Sequence, residues 1–435
     1  MTNNRYIAGL LLSLTLLVSM RPSHAQLRIE ITSGVTDPIP IAIVPFARGA
    51  GTDAVDVAAV VQSDLDGSGR FKSMARADMV AQPTRSDDVD LAAWRQQRND
   101  YVVVGRVSAL PDGTTAIDAE LVNVLNGQRL FNQRFTAASR SLRAGAHRVS
   151  DAIYEKILGI RGAFSTRIAY VSVDGRPPKQ RYQLIVADAD GESPRVVLQS
   201  SQPLMSPAWS ADGEWLAYVS FERRASSIYV QRVRTGERRQ VSARVGINGS
   251  PAWSPDGKRL ALTLSGSGGN LDIYVLELAT QQLKRMTNDP GIDTEAVFSP
   301  DGTQIYYTSD RAGSPQVYRQ TLGSDERPRR VTFTGGYNAR PRISPDGKQL
   351  AVLTLDRGAY RVGVQDLANG TLRLLSRGRL DESPSFAPNG ASIIYAGRER
   401  GQGVLATVAV DGATSQRLKA DAGEVREPAW GPFLN

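Results

Sequence analysis

Few residues in this chain are equipped for acid-base, nucleophilic or metal chemistry: it has two histidines and no cysteine in 435 residues. The lack of cysteine excludes disulfides, thiolate metal ligands and a cysteine nucleophile together. His24 falls within an N-terminal stretch with the character of a secretory signal, which leaves His147 as the single histidine of the mature chain. A Ser-His-Asp arrangement would have to use it, and no G-x-S-x-G nucleophile elbow occurs. His147 stands beside the apolar stripe of an expected helix, where packing or capping is the simpler role. "DLDGSG" from Asp64 resembles the start of a calcium loop, but its twelfth position is Ala75 where a bidentate glutamate is needed. A plain turn after a helix is expected there. The glycine-rich run Ser265 to Gly269 lacks phosphate-loop spacing and a following lysine. Asp381-Glu382 remains as a carboxylate pair for acid-base work, although surface loops carry such pairs routinely. No catalytic constellation emerges, and no metal or cofactor is expected.

The elements that must carry these residues are organised as repeats. Aligned on one aromatic or aliphatic position, "SPAWSADG" at Trp209, "SPAWSPDG" at Trp253, "EAVFSPDG" at Phe298, "RPRISPDG" at Ile343, "SPSFAPNG" at Phe386 and "EPAWGP" at Trp430 recur every 43 to 45 residues. That period, with β-branched and aromatic enrichment, matches a four-stranded propeller blade better than a helical pair. Pro255-Asp256-Gly257 predicts a tight turn, and the alternation in "RLALTLS" and "DIYVLEL" predicts half-buried strands. The tryptophan or phenylalanine of each first strand is expected in the core between blades. Second-strand motifs also number six, beginning with "RIAYVSV" at Arg167, which has no first strand before it. The terminal "EPAWGP" has no second strand after it. The two half-units complement each other, so the fold class is an α/β N-terminal domain followed by an all-β six-bladed β-propeller, closed by strand exchange between the C-terminal strand and the first blade. Prolyl oligopeptidase-type enzymes also carry propellers, but no hydrolase domain to supply a serine accompanies this one.

Arg5, the apolar run Ile7 to Val18 and Ser23-His24-Ala25 make a signal peptide, 1–25, with cleavage after Ala25. Residues 26–162 read as the α/β domain and 163–435 as the propeller. "IPIAIVPFA" predicts a buried strand, and Asp53 to Leu65 a helix. "DYVVVGRVSAL", "TTAIDAELVNV" and "QRLFNQRFTA" predict a strand and hairpin series. A closing helix carries Leu142, Ala146, Val149, Ile153 and Ile157 on one face. Net charge falls from +8 to +6 once Arg5 and Arg21 leave, and the charges are finely mixed. That balance and export together oppose nucleic-acid binding.

With first strands innermost, the segments just before them converge on one mouth of the channel: Leu204–Ser206, Gly246–Ser250, Ile292–Glu295, Tyr337–Arg340, Leu380–Ser383 and Val425–Glu427. They vary between repeats while the strands do not, which separates recognition from scaffold. Their mix of apolar, amide and charged groups suits a peptide or protein ligand. The alternating segment Gln26 to Asp37 is a second candidate, able to pair by β-augmentation.

"RIEITSGV", "PIAIVPF", "SDAIYEKILGIRGAFSTRIAYVS", the "SPDG"-type repeats and "EPAWGPFLN" together resemble the TolB family of the Tol-Pal system over essentially the whole chain. The resemblance implies a non-enzymatic periplasmic adaptor, monomeric before complex formation. It would bind the lipoprotein Pal, and through it associate with the outer membrane, at one propeller mouth, and the inner-membrane protein TolA through the N-terminal segment. Outer-membrane integrity and invagination during division would depend on it. Carried onto this sequence, the Pal surface would comprise Ile247, Asn248, Ser250, Asp293, Thr294, Arg340, Asp381 and Glu382. The family can carry a histidine where this chain has Ile247, which makes that contact apolar. The TolA segment would be Leu27, Arg28, Ile29, Glu30, Ile31, Thr32, Ser33, Gly34 and Val35, with exposure coupled to Pal binding. The alternative is a propeller enzyme or sugar-binding protein acting on cell-wall fragments.

Overall fold

The computed structural model describes residues 37–49, 55–266, 268–420 and 423–434. The signal peptide and the expected TolA segment, Leu27 to Val35, lie outside the described residues.

Ile39–Ile43 (β1), Ala47–Arg48 (β2), Phe71–Ser73 (β3), Tyr101–Ala109 (β4), Thr114–Asn123 (β5) and Arg129–Ala138 (β6) form one mixed sheet, ordered β3-β1-β4-β5-β6 with β2 on β4. β1 runs parallel to β3 and β4, whereas β4, β5 and β6 are an antiparallel meander. Strand alternation separates two cores. Val103 packs with helices α1 (Val57–Gly67) and α3 (Leu142–Leu158), while Val102 and Val104 pack with Trp94 of α2 (Leu91–Gln96). Asp56 caps α1 by accepting from the Ala59 N–H at 3.0 Å, so the helix starts later than its expected Asp53. α3 buries Leu142, Ala146, Val149 and Ile153, as its stripe predicts, and stops at Gly159 with φ +71°.

Six four-stranded sheets follow. Blade 1 combines Glu424–Trp430 with Arg167–Asp174, Arg181–Asp188 and Arg195–Ser200, so the last strand of the chain occupies the inner place of the first blade. Blade 2 is Leu204–Trp209, Trp215–Ser220, Ser227–Arg232 and Arg238–Ser242; blade 3 is Asn248–Trp253, Arg259–Ser265, Leu271–Glu277 and Leu283–Arg285. Blade 4 is Asp293–Phe298, Gln304–Ser309, Gln316–Thr321 and Arg329–Arg330. Blade 5 is Asn338–Ile343, Gln349–Asp356, Ala359–Asp366 and Leu372–Leu374; blade 6 is Glu382–Phe386, Ser392–Glu399, Gln402–Ala409 and Ser415–Arg417.

The repeated S-x-D-G earns its place in the turn between the first two strands. In blade 3 the Ser254 hydroxyl donates to Asp256 and accepts from the Arg259 N–H at 2.9 Å, while Asp256 accepts from the Lys258 N–H at 3.0 Å. Gly257 supplies φ +69°. The tryptophans are structural, as expected. Trp253 Nε1 donates to the Ala208 carbonyl at 3.1 Å and Trp209 Nε1 to that of Ala429 at 3.1 Å, each tying one inner strand to its neighbour. Because the inner strands of blades 2 to 6 run from the channel mouth to this turn, written A-x-N-G in blade 6, mouth and turns lie on opposite faces. The α/β domain docks on the turn face: Asn389 of the blade 6 turn donates to the Arg161 carbonyl at 3.0 Å, and Arg70 pairs with Asp411 at 2.8 Å.

Candidate functional site

The mouth is built by a defect repeated in all six inner strands. Ser206, Ser250, Glu295, Arg340, Ser383 and Glu427 each have positive φ, between 47° and 58°. Each sits where the pairing of first and second strands slips, for example between Gly249 and Ala252. These are β-bulges, which keep the strand in the sheet while re-aiming one side chain. All six of those residues line one cavity on the central axis, together with Arg342. The segments expected as loops are thus mostly strand, turned inward by the bulge.

Arg340 spans this axis. Its Nε lies 3.1 Å from Glu295 Oε1 and its Nη2 3.9 Å from Glu427 Oε1; its Nη1 donates to the Ser383 hydroxyl. The Arg340 N–H also donates to Glu295 Oε2 at 3.1 Å, and Glu427 accepts from the Ser206 N–H. Burial alone would lower the Arg340 pKa, but Glu295, Glu427 and Glu382 raise it. Burial holds Glu382 above the usual carboxylate range, against the pull of Arg340. The mouth floor is therefore a charged plug that links five blades. Around it stand exposed apolar side chains: Val245, 98% exposed, with Ile247, Ile292 and Leu380.

The structure divides the residues expected at a partner surface into three groups. Ile247 is exposed on the rim, with Thr294 half-buried beside it. Ser250 and Arg340 line the axial cavity, and Glu382 is half-buried within reach of the Arg340 charge. Asn248 and Asp293 are 0% exposed and Asp381 is 3% exposed, so all three hold the mouth from within. Asn248 Oδ1 accepts from the Ser242 hydroxyl at 2.6 Å and the Arg244 N–H at 3.0 Å, which fixes the loop carrying Val245 and Ile247. Asp293 accepts twice from Arg311, at 2.9 and 3.0 Å, and Asp381 accepts from the Gly378 N–H at 2.9 Å. Asp381 precedes the strand and is held by the Gly378 N–H, whereas Glu382 opens the strand within the field of Arg340, so the two carboxylates have separate partners and do not form a dyad. Glu295, Arg342 and Glu427 were not singled out by sequence; their signal is the position three or one before the aligned residue, legible only once the bulge is known.

His147 lies elsewhere and is more than packing. It is 1% exposed, and its Nδ1 lies 2.7 Å from Asp64 Oδ2, which also accepts from the Ser150 hydroxyl at 2.6 Å. Across the interface its Nε2 faces Asp190 Oδ2 of blade 1 at 3.7 Å, and Arg143 pairs with the same carboxylate. Asp64 lies in α1, as the expected helix has it, and the plain turn follows at Ser68 and Gly69. The donor atoms of Asp64, His147 and Asp190 lie within 4.8 Å of one another, a spacing a metal could use. The Arg143 guanidinium already supplies the positive charge at Asp190, which leaves a metal poorly matched to this set.

Comparison with known proteins places these features. A family model described as the TolB amino-terminal domain matches residues 27–130, and one described as the TolB beta propeller domain matches 154–434. The chain is 48% identical to the Tol-Pal system protein TolB of Xanthomonas euvesicatoria pv. vesicatoria (strain 85-10) over 433 residues, 99% of this chain and 98% of that one. With its namesake from Xanthomonas campestris pv. campestris (strain B100) it shares 47% identity over the same lengths. The crystal structure of TolB from Acinetobacter baumannii superposes with a TM-score of 0.85 at 42% identity, covering 92% of this chain and 98% of that one.

Proposed function

The chain belongs to the TolB family of Tol-Pal system proteins, and from that premise we propose that it is a non-enzymatic periplasmic adaptor whose propeller mouth binds the lipoprotein Pal. The observation that carries this reading is the mouth itself: a rigid charged plug around Arg340, ringed by Val245, Ile247, Ile292 and Leu380. Apolar side chains held out around a polar centre are a protein-docking pattern. Pal would contact Ile247 and Thr294 on the rim and reach Ser250, Arg340 and Glu382 inside it. Asn248, Asp293 and Asp381 would act through the loops they hold. The segment Leu27 to Val35, after cleavage at Ala25, would engage TolA, and the assembly would support outer-membrane integrity and invagination at division.

Calorimetry of the mature chain against its cognate Pal is the test, and saturable binding is the expected result. Ile247→Asp should weaken that binding by at least about tenfold, because it places a charge in the apolar rim. No heat of binding with the unmodified chain would overturn the reading. Removal of residues 26–37 should abolish TolA capture and leave Pal binding in place.

A further inference from the structure

Blades 4 and 6 bury the same two groups in the gap to the preceding blade, but only blade 4 supplies them with a cation. Counted from Phe298, blade 4 has Asp293 five residues before and Tyr307 nine residues after. Arg311 Nη2 donates to both Asp293 oxygens, at 3.0 and 2.9 Å, and to the Tyr307 hydroxyl at 3.2 Å. Its guanidinium also lies 4.8 Å from the centroid of Tyr318, the cross-strand partner stacked on Tyr307. Counted from Phe386, blade 6 keeps the acid as Asp381 and the ring as Tyr395. At the position of Arg311 it has Glu399, and at that of Tyr318 it has Ala406, still cross-strand to Tyr395.

The other route by which a blade fills this place is also closed. In blade 2 an arginine comes from the outer strand, where Arg238 lies 5.0 Å from the Tyr229 ring centroid. The matching residue of blade 6 is Ser415. What remains is a cavity of about 430 Å³, lined by Asp381, Tyr395, Gly397, Glu399, Ala406 and Ser415 among others. That volume falls in the range of small-ligand sites. Nearby arginines are committed elsewhere: Arg361 to Asp356 at 3.0 Å, Arg398 to Glu424 at 2.7 Å, and Arg417 to Glu399 at 3.2 Å. Arg377, at the rim, is solvent-exposed. Asp381 is thus a buried carboxylate that accepts from the Gly378 N–H and the Ser376 hydroxyl, feels the Arg361 charge only at longer range and makes no close ion pair among the described residues, with Tyr395 beside it in the cavity wall. An unpaired buried carboxylate is costly, and a cation on an aromatic face is favourable.

We propose that the gap between blades 5 and 6 is a binding site for an alkyl-guanidinium or alkyl-ammonium group, which takes the place that Arg311 fills in blade 4: charge against Asp381, flat or methylene face on Tyr395. The group comes either from a basic side chain of a partner protein or from a free small organic cation. The site shares Asp381 with the adaptor reading, where that residue holds a mouth loop, but it uses no group of the Arg340 plug.

The test titrates the mature chain with agmatine, following the Tyr395 ring signals by NMR, with N-pentylurea (urea in place of guanidinium, methyl in place of ammonium) as the uncharged isostere. Agmatine should bind saturably and shift Tyr395, and the isostere should bind at least about tenfold more weakly. The double variant Glu399→Arg, Ala406→Tyr rebuilds the blade 4 filling. It should raise the unfolding midpoint and abolish agmatine binding, whereas Asp381→Asn should weaken binding without filling the space. Loss of Pal capture in the double variant assigns the cation to the partner; unchanged capture assigns it to a free small molecule. No Tyr395 shift with agmatine, or equal binding by the filled variant, overturns the proposal.

Discussion

His147 shows how a single residue's meaning depends on what the fold brings to it. Sequence placed it correctly beside the stripe of α3, but its partners are Asp64, 83 positions earlier, and Asp190 on another domain. No local pattern announces such a pairing. The groups facing it are Asp64 and Ser150 on one side and Asp190, Asp188 and Arg143 on the other. Burial works to lower the His147 pKa, yet Asp64, Asp190 and Asp188 together raise it above the ordinary value. A raised folded pKa stabilises fully below the unfolded value of about 6.5, and that stabilisation is lost as pH rises through the folded value. The unfolding midpoint should therefore fall as pH increases above about 6.5. His147→Gln should flatten that dependence and cost about 3 kcal/mol below it, since the buried Asp64 loses its counter-charge. Differential scanning calorimetry across pH decides this, and identical slopes for both proteins would refute it. Arg340 is the second residue whose partners are non-local. Arg340→Ala leaves Glu295 and Glu427 facing each other and should cost about 1–2 kcal/mol by denaturant titration.

At the level of elements, what could be read from sequence and what could not have distinct physical origins. The blades were legible because S-x-D-G writes its own hydrogen bonds into consecutive residues. Ser254→Ala removes the hydroxyl that Arg259 donates to, and should cost about 1 kcal/mol in urea unfolding. Ala387 already stands at the matching place in blade 6, where Asn389 accepts from the Ala391 N–H at 3.0 Å, so the turn itself survives such a change. The bulges were illegible for the opposite reason. Positive φ is usually announced by glycine, but here serine, glutamate and arginine adopt it because the neighbouring pairs hold them there. That is why the channel plug, made by Glu295, Arg340 and Glu427, surfaced only partly in the sequence through Arg340. The same holds for Asn248, Asp293 and Asp381. Polar residues before a strand read as loop, and only packing reveals that they are clamps within it.

Across the whole molecule the two functional faces are set by strand direction. The mouth lies where inner strands begin, and the α/β domain sits where they turn. Among the described residues no strand of that domain enters a blade, so a chain starting at residue 162 retains all six sheets and should show a cooperative thermal transition by circular dichroism. A broad, non-cooperative melt would mean that the α/β domain is needed to hold the ring. Blade 1 adds a constraint of another kind. Arg167–Asp174 must wait for Glu424–Trp430 before its inner edge is covered, so five blades are made before the ring can shut. A chain still being synthesised therefore leaves that edge uncovered until its final segment is made. Closure is a completion signal: the last strand to arrive certifies that every preceding one is present.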